Sequence, residues 1–208
     1  MTSASLVVHG TVYSGHTHRV ENLLSILGLP YRFVDSPAAV RQTAGFLALN
    51  PLGQIPVLED GDLVLADSNA ILVYLARRYA PGTGWLPEAP DAAARVQRWL
   101  SIAAGELRYG PATARIMTLW GGPGNLADAH AIAARLLGFV EGHLATRGFL
   151  AADHATIADL ACYTYLAHAP EGRISLAGYP NVQRWLARVA ALPGFKPMPV
   201  MPIREPER

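Results

Sequence analysis

The order of apolar and polar positions at the start of the chain predicts a strand, a helix and a second strand. Residues 6–9 are typical of a short strand, and a turn-rich loop runs from Gly10 to Gly15. A helix is predicted from about Thr17, because four apolar residues recur there at helical spacing: Val20, Leu23, Leu24 and Leu27. Gly28 and Pro30 end this helix before a strand at residues 31–34, so the two strands are expected to pair in parallel.

The following residues predict a weaker helix, a hairpin and a further helix. The weaker helix covers about residues 37–49, and residues 50–53 form a turn. Asp60-Gly61 lies between two apolar runs, which is the strongest short signal for a β-hairpin. Apolar residues at helical spacing mark a helix after Ser68. Residues 1–80 are therefore predicted to form an α/β domain with the order βαβ-α-ββα.

The pattern changes after residue 80. Two glycines and a proline at residues 80–84 are typical of a linker, which we place at residues 81–90. Residues 91–208 show no strand pattern and predict an all-α domain. One of its helices begins at Thr156, where Thr156 to Asp159 has the form of a capping box. The final sixteen residues contain five prolines and predict an extended tail.

Composition and charge exclude several classes of protein. With 51% hydrophobic and 16% charged residues, the 208-residue chain is typical of a folded protein with a sizeable core. A net charge of +1 without a basic stripe argues against nucleic acid as a partner. The only cysteine, Cys162, lies in an apolar run and is expected to be buried and inert. We find no signal peptide and no apolar stretch near the roughly 20 residues that span a bilayer, so a cytoplasmic protein is expected.

The loop between the first strand and the first helix holds the first candidates for chemistry. Ligands bind beyond the carboxyl ends of strands in open α/β sheets, and a helix start adds free N–H groups and a positive dipole end. A thiol bound there shifts towards thiolate, to which the Ser14 hydroxyl can donate a hydrogen bond. The alternative is that Ser14 only caps the helix. His16 and His18 lack a third ligand nearby, so no metal site is predicted.

Two further segments suggest a peptide-like ligand. If the Ile55–Pro56 bond is cis, the backbone N–H and C=O of Ile55 can pair with such a ligand as a neighbouring strand would; the alternative is an ordinary trans proline at a strand start. Ser68 is predicted to cap the following helix, whose N–H groups can bind a carboxylate. Asp67 beside it can bind an ammonium group. The alternative is a plain cap beside a solvated Asp67.

Together these three segments resemble the cytosolic glutathione transferase family. That family has a catalytic hydroxyl or thiol after the first strand, a cis-proline before the third strand and a Glu/Asp-Ser pair opening the third helix. The chain has Ser14, Ile55–Pro56 and Asp67–Ser68 in this order, and the likeness continues at residues 46–51, 71–75, 156–159 and 192–195. The resemblance implies a thioredoxin-like first domain, a helical second domain, glutathione as cosubstrate, a cis Ile55–Pro56 bond and a homodimer.

The resemblance also implies residue roles. Ser14 lies fourteen residues before Gly28, as the catalytic serine does in theta-like enzymes, which indicates a bacterial, serine-type class. His16 is the second catalytic candidate, and Thr17 is a reserve hydroxyl. Candidates for the glycine end of glutathione are Arg41, Gln42 and Gln54, although Arg41 and Gln42 also fit a solvated helix face. Residues expected to line the hydrophobic substrate pocket are Tyr13, Tyr109, Ile116 and Trp120.

The function that follows is conjugation of the glutathione thiolate to a small hydrophobic electrophile. A glutathione-dependent peroxidase, isomerase or dehalogenase is an alternative that uses the same thiolate. A non-catalytic glutathione-binding or scaffold protein is a second alternative, because fold does not fix function. Ser14 and Asp67–Ser68 favour retained glutathione binding, since a scaffold does not need them. The sequence does not identify the electrophile.

Overall fold

A computed structural model describes residues 6–203, and its first part is a mixed four-stranded sheet in the order β2-β1-β3-β4. Strand β1 (Leu6–Gly10) pairs in parallel with β2 (Tyr31–Asp35) and antiparallel with β3 (Val57–Asp60). Strand β4 (Leu63–Ala66) pairs antiparallel with β3 across the turn at residues 61–62. The predicted parallel pair and the predicted hairpin are both confirmed.

Four helices belong to this first part, and three of them differ from the prediction. Helix α1 (Gly15–Ile26) begins two residues earlier than predicted, with Ser14 as its N-cap. The predicted helix at residues 37–49 is divided into α2 (Ala38–Arg41) and α3 (Ala44–Leu49), because the Thr43 side chain accepts a hydrogen bond from the Phe46 amide and starts a new helix. Helix α4 spans Ser68–Tyr79. The Ile55–Pro56 peptide bond is cis, as predicted.

The second part of the described chain is helical. Its α-helices are α5 (Pro90–Ala104), α6 (Thr113–Trp120), α7 (Leu126–His143), α8 (Ile157–Ala167) and α9 (Pro180–Ala190). A π-helical segment (Arg108–Ala112) joins α5 to α6, and a 3₁₀ turn (Ala169–Gly172) follows α8. The fold class, a thioredoxin-like domain followed by an all-α domain, is therefore confirmed. We propose residues 1–80 and 91–208 as the two domains, with residues 81–90 between them.

Helix α1 connects the two parts through one continuous hydrophobic core. It packs against α4 of the first part and α8 of the second. Leu23 and Leu24 of α1, Leu72 of α4 and Leu160 of α8 are all at most 1% exposed. Cys162 of α8 is buried in the same core, and this burial raises the pKa of its thiol to about 12. The start of α1 is consequently held from two sides.

The predicted capping box opens α8 and connects it to α9. The Thr156 hydroxyl accepts from the Ala158 amide, and the Asp159 carboxylate accepts from the Thr156 amide. The Asp159 carboxylate also accepts from the Leu150 amide and from the Trp185 indole, each at 2.9 Å. Burial raises the pKa of Asp159. This single buried carboxylate therefore joins two helices and the loop before them.

The chain after α9 returns to α1. Residues 195–203 contain neither helix nor strand, and the last proline of the predicted tail, Pro206, lies outside the described residues. Nε2 of His18 lies 2.6 Å from the Lys196 carbonyl, and its Nδ1 lies 2.7 Å from the Thr164 hydroxyl. Burial lowers the pKa of His18 to about 4. His18 is thus a neutral side chain in the contact between α1, α8 and the tail.

Among residues 6–203, none of the helices combines the length and the apolar composition required to cross a lipid bilayer.

The buried His18 predicts a pH-dependent stability. Its folded-state pKa lies below the value of about 6.5 of an unfolded chain, so only the unfolded state takes up a proton between these values. The contribution to stability is complete above pH 6.5 and is lost as the pH falls towards 4, by up to about 3 kcal/mol. In His18→Gln, the free energy of unfolding in urea should fall less steeply over this pH range. Equal slopes in both proteins would contradict the assignment.

Candidate active site

A cavity of about 820 Å³ lies between the two parts of the protein, at the carboxyl end of β1. One wall comes from the loop after β1, the loop before β3 and the start of α4. The other comes from the π-helical segment, α6 and α8. The lining residues include eleven of the predicted site residues, namely Tyr13, Ser14, His16, Arg41, Gln54, Ile55, Pro56, Asp67, Ser68, Ile116 and Trp120.

Ser14 caps α1, as the alternative considered from the sequence has it, and it also lines the cavity. Its Oγ accepts a hydrogen bond from the Thr17 amide at 3.2 Å, so it caps α1. A hydroxyl that accepts in this way still has its own hydrogen to donate. Ser14 lines the cavity at the N-terminus of α1, so its hydroxyl can donate a hydrogen bond into the cavity there. Capping therefore leaves Ser14 able to bind an anion.

Gly15 allows the Ser14 loop to lie directly against α8. A Cβ atom at position 15 would come within 2.7 Å of Cζ in the Tyr165 ring, far inside normal contact distance. The neighbouring His16 ring meets Tyr165 edge-on, with 5.1 Å between the ring centroids. A side chain at position 15 would have to displace either the Tyr165 ring or the Ser14 loop.

His16 is held as a neutral side chain by Ser68 and Arg19. Its Nδ1 lies 3.2 Å from Oγ of Ser68, which also lies 3.3 Å from Nη1 of Arg19. Arginine can only donate, so Ser68 accepts from Arg19; towards His16 Nδ1 the hydroxyl can either donate its hydrogen or accept a second time, according to the tautomer of His16. Burial, followed by the charges of Arg19 and Arg108, holds the pKa of His16 well below its usual value.

Asp67, and not Ser68, is the N-cap of α4, which corrects the prediction. The carboxylate of Asp67 accepts from the amides of Asn69 and Ala70 at 2.9 and 3.0 Å, both through Oδ1. Asp67 has a φ of 72°, a value that Asp tolerates better than most residues. Within residues 6–203, Oδ2 accepts no hydrogen bond. Asp67 therefore presents a free carboxylate oxygen at the cavity, and the buried Ser68 hydroxyl lies beside it.

The candidates for the glycine end of glutathione separate into two groups. Arg41, Gln54 and Ile55 line the cavity, and Arg41 has a buried Nε without a partner in the described part of the chain. Gln42 is exposed and lies outside the cavity, in agreement with the alternative of a solvated helix face. Arg41 is therefore the cation that this end of the cavity offers.

The helical wall likewise contains only some of the predicted residues. Tyr13, Ile116 and Trp120 line the cavity, with Trp120 half-exposed at its edge. Tyr109 is 62% exposed and lines a separate, smaller cavity of about 370 Å³. Thr17, the reserve hydroxyl, is fully buried and does not line the cavity. These positions leave Ser14 as the cavity's hydroxyl at the start of α1.

The comparisons with known proteins agree with this arrangement. The family profile described as Glutathione S-transferase, N-terminal domain, matches residues 13–78, and the corresponding C-terminal domain profile matches residues 117–193. Glutathione S-transferase 3 of Zea mays is 36% identical, with 98% of this chain and 97% of the relative aligned. The chain belongs to the glutathione S-transferase family. Glutathione is the cosubstrate of that family.

Two further relatives support the assignment. Glutathione S-transferase theta-1 of Bos taurus is 33% identical over an alignment that covers 78% of this chain and 72% of the relative. The crystal structure of a glutathione S-transferase from Pseudomonas fluorescens Pf-5 superimposes on this transferase with a TM-score of 0.87 at 34% identity, covering 93% of this chain and 98% of that one.

Sequence reasoning missed three residues of the helical wall of the transferase's cavity: Arg108, Arg115 and Tyr165. Arg115 donates from Nη1 to the Tyr13 carbonyl at 2.9 Å and from Nε to Glu171 at 2.5 Å, so it connects the Ser14 loop to the helical part. All three follow the loop by almost a hundred residues or more, and nothing local in the sequence indicates that they meet it. Gly110 and Pro111 also make the segment that begins at Arg108 look non-helical in the sequence.

Because Asp67 caps α4, two substitutions at this position should differ in their effect on the stability of the transferase. Asp67→Ala removes the acceptor at the start of α4 and places Ala at a positive φ, so the free energy of unfolding should fall by about 1–2 kcal/mol. Asp67→Asn keeps a capping oxygen and tolerates this φ, so it should stay within a few tenths of a kcal/mol of the original. Urea unfolding of both variants checks this. A similar loss in both would show that the cap is not what Asp67 contributes.

Proposed function

We propose that this transferase conjugates the glutathione thiolate to a small hydrophobic electrophile. The observation that carries the proposal is the hydrogen-bonding state of Ser14. Its oxygen is engaged by the Thr17 amide, and its hydrogen is free to donate into the cavity at the start of α1. A donor at a helix N-terminus favours a thiolate over a thiol.

In this proposal, glutathione lies along the wall formed by the first part of the chain. The ammonium of its γ-glutamyl group binds Oδ2 of Asp67, and the carboxylate of that group binds the Ser68 backbone N–H at the start of α4. The cysteine backbone pairs with Ile55 in the manner of a neighbouring strand. The glycine carboxylate binds Arg41, with Gln54 beside it. This placement brings the sulfur to Ser14, and Gln42 takes no part.

The reaction itself requires little from the protein beyond stabilisation of the thiolate. The sulfur attacks an electrophilic carbon that is held against Ile116 and Trp120. His16 is neutral, and in the tautomer that carries its proton on Nε2 it adds a second donor to the same wall. Arg108 and Arg115 raise the local positive potential further, which favours the thiolate before the attack and a leaving anion after it.

The role proposed for the Ser14 hydroxyl predicts how its removal changes the pKa of the glutathione thiol. Ser14→Ala removes one charge-assisted hydrogen bond, so the pKa of the bound thiol should rise by roughly one to two units, equivalent to about 1.5–3 kcal/mol. The readout is thiolate absorbance of the enzyme–glutathione complex as a function of pH. Conjugation of a neutral aryl halide at neutral pH should fall in proportion to the thiolate fraction.

Ser14→Thr is the matched control, because it keeps both the hydroxyl and the helix cap. It should retain most of the low thiol pKa, whereas a general effect of disturbing the loop would appear in both variants. An unchanged thiolate titration in a folded Ser14→Ala variant would remove Ser14 from the mechanism. A large shift in His16→Ala alone would move the role to His16.

Glutathione affinity tests the placement of the γ-glutamyl group. Asp67→Asn keeps the helix cap but removes the charge that binds the ammonium, so calorimetry should show binding weakened by about 1.5–3 kcal/mol. A glutathione analogue that lacks the α-amino group supplies the control. It should bind the original protein and Asp67→Asn equally, since it has no ammonium to lose. Equal affinity of both proteins for glutathione itself would refute the placement.

A further inference from the structure

The substrate side of the cavity carries more positive charge than a neutral electrophile requires. Three arginines line the cavity, and only Arg41 lies at the glutathione wall. The other two, Arg108 and Arg115, belong to the helical wall. The acidic lining residues, Asp35 and Asp67, both come from the first part of the chain. The helical wall is therefore apolar at Ile116 and Trp120 and cationic beside them.

Arg108 is half-buried and has donors available. It begins the π-helical segment, and its Nη1 donates to the Thr113 hydroxyl at 3.0 Å. No acidic side chain within residues 6–203 forms an ion pair with it. Its charge also acts at the reacting end of the cavity, where it contributes to the lowered pKa of His16. A half-buried guanidinium without a counter-ion attracts anions strongly.

Arg115 supplies a second, independent observation. Its side chain is 2% exposed, and its Nε and Nη1 are bound by Glu171 and by the Tyr13 carbonyl. Its Nη2 is buried and has no partner in the part of the chain that the structure describes. Buried polar groups are almost always hydrogen-bonded, so an unpaired donor on an arginine that lines the cavity points to a ligand at this wall.

We propose that Arg108 and Arg115 form an anion-binding subsite for the electrophile, and that the preferred substrates are electrophiles that carry a carboxylate. This inference rests on the proposed conjugation of glutathione. The apolar body of such a substrate lies on Ile116 and Trp120, and its carboxylate accepts from the two guanidinium groups. The carboxylates of glutathione do not need this subsite, since Ser68 and Arg41 are placed to bind them.

A matched pair of aryl chlorides tests the subsite. In 4-chloro-3-nitrobenzoate and 4-chloro-3-nitrobenzamide, the glutathione sulfur bonds to the same ring carbon, and chloride leaves with the electron pair of the C–Cl bond. Each kcat/KM is divided by the uncatalysed rate constant with glutathione, which removes the intrinsic difference in reactivity. We expect the corrected value for the benzoate to exceed that for the amide by about tenfold or more.

Arg108→Gln should lower the corrected benzoate-to-amide ratio by about tenfold to a hundredfold, and Arg108→Lys should restore part of it because it restores the charge. Arg135→Gln is the control for net charge, since Arg135 is exposed on α7 and lines neither cavity. It should leave the ratio unchanged. The preference for the benzoate should also decrease as salt is added, because added salt screens charge attraction at a half-open site.

The outcomes separate this inference from the proposed function. A corrected ratio near one, or an equal fall for both substrates in Arg108→Gln, would overturn the subsite and leave conjugation intact. If that equal fall is accompanied by a raised thiolate pKa, Arg108 serves the glutathione sulfur instead. If neither aryl chloride is conjugated, the proposed function fails, and the inference that rests on it fails too.

Discussion

The position of the Ser14 loop is the constraint on which the rest of the site depends. Ser14 in this loop caps α1 by accepting from the Thr17 amide. Gly15 packs the loop against the Tyr165 ring, and Arg115 donates to its Tyr13 carbonyl. Two of these three contacts come from the helical part of the protein. The thioredoxin-like part therefore supplies the hydroxyl, and the helical part fixes where that hydroxyl lies.

The electrostatics of the site follow from the same packing. Joining the two parts buries Arg19 and Arg115 almost completely, and Arg19 lies beside His16, whose pKa is lowered by burial. Buried guanidinium groups remain charged, whereas the imidazole remains neutral and keeps one N–H to donate. The helical wall of the cavity thus offers hydrogen-bond donors and positive potential, and the cavity-lining acids Asp35 and Asp67 belong to the opposite wall. That environment suits a thiolate and any anion that reacts with it or leaves it.

The sequence predicted those parts of the fold and site whose signals are local. Strand and helix periods, the Asp60-Gly61 turn and the capping box at Thr156 depend on neighbouring residues, and each is present. The sequence predicted Ser68 as the N-cap of α4, whereas Asp67 has this role. The difference depends on the positive φ of Asp67, which composition does not reveal. Arg115 and Tyr165 could not be predicted, since only the packing of α6 and α8 on α1 brings them to Ser14.

A crystal structure of the complex with glutathione tests the central claim most directly. The account predicts that the glutathione sulfur lies within hydrogen-bonding distance of Ser14 Oγ while the Thr17 amide remains bonded to the same oxygen. It also predicts that the γ-glutamyl group contacts Asp67 and Ser68. A sulfur placed against His16 Nε2 or the Tyr165 hydroxyl, beyond the reach of Ser14, would contradict the account.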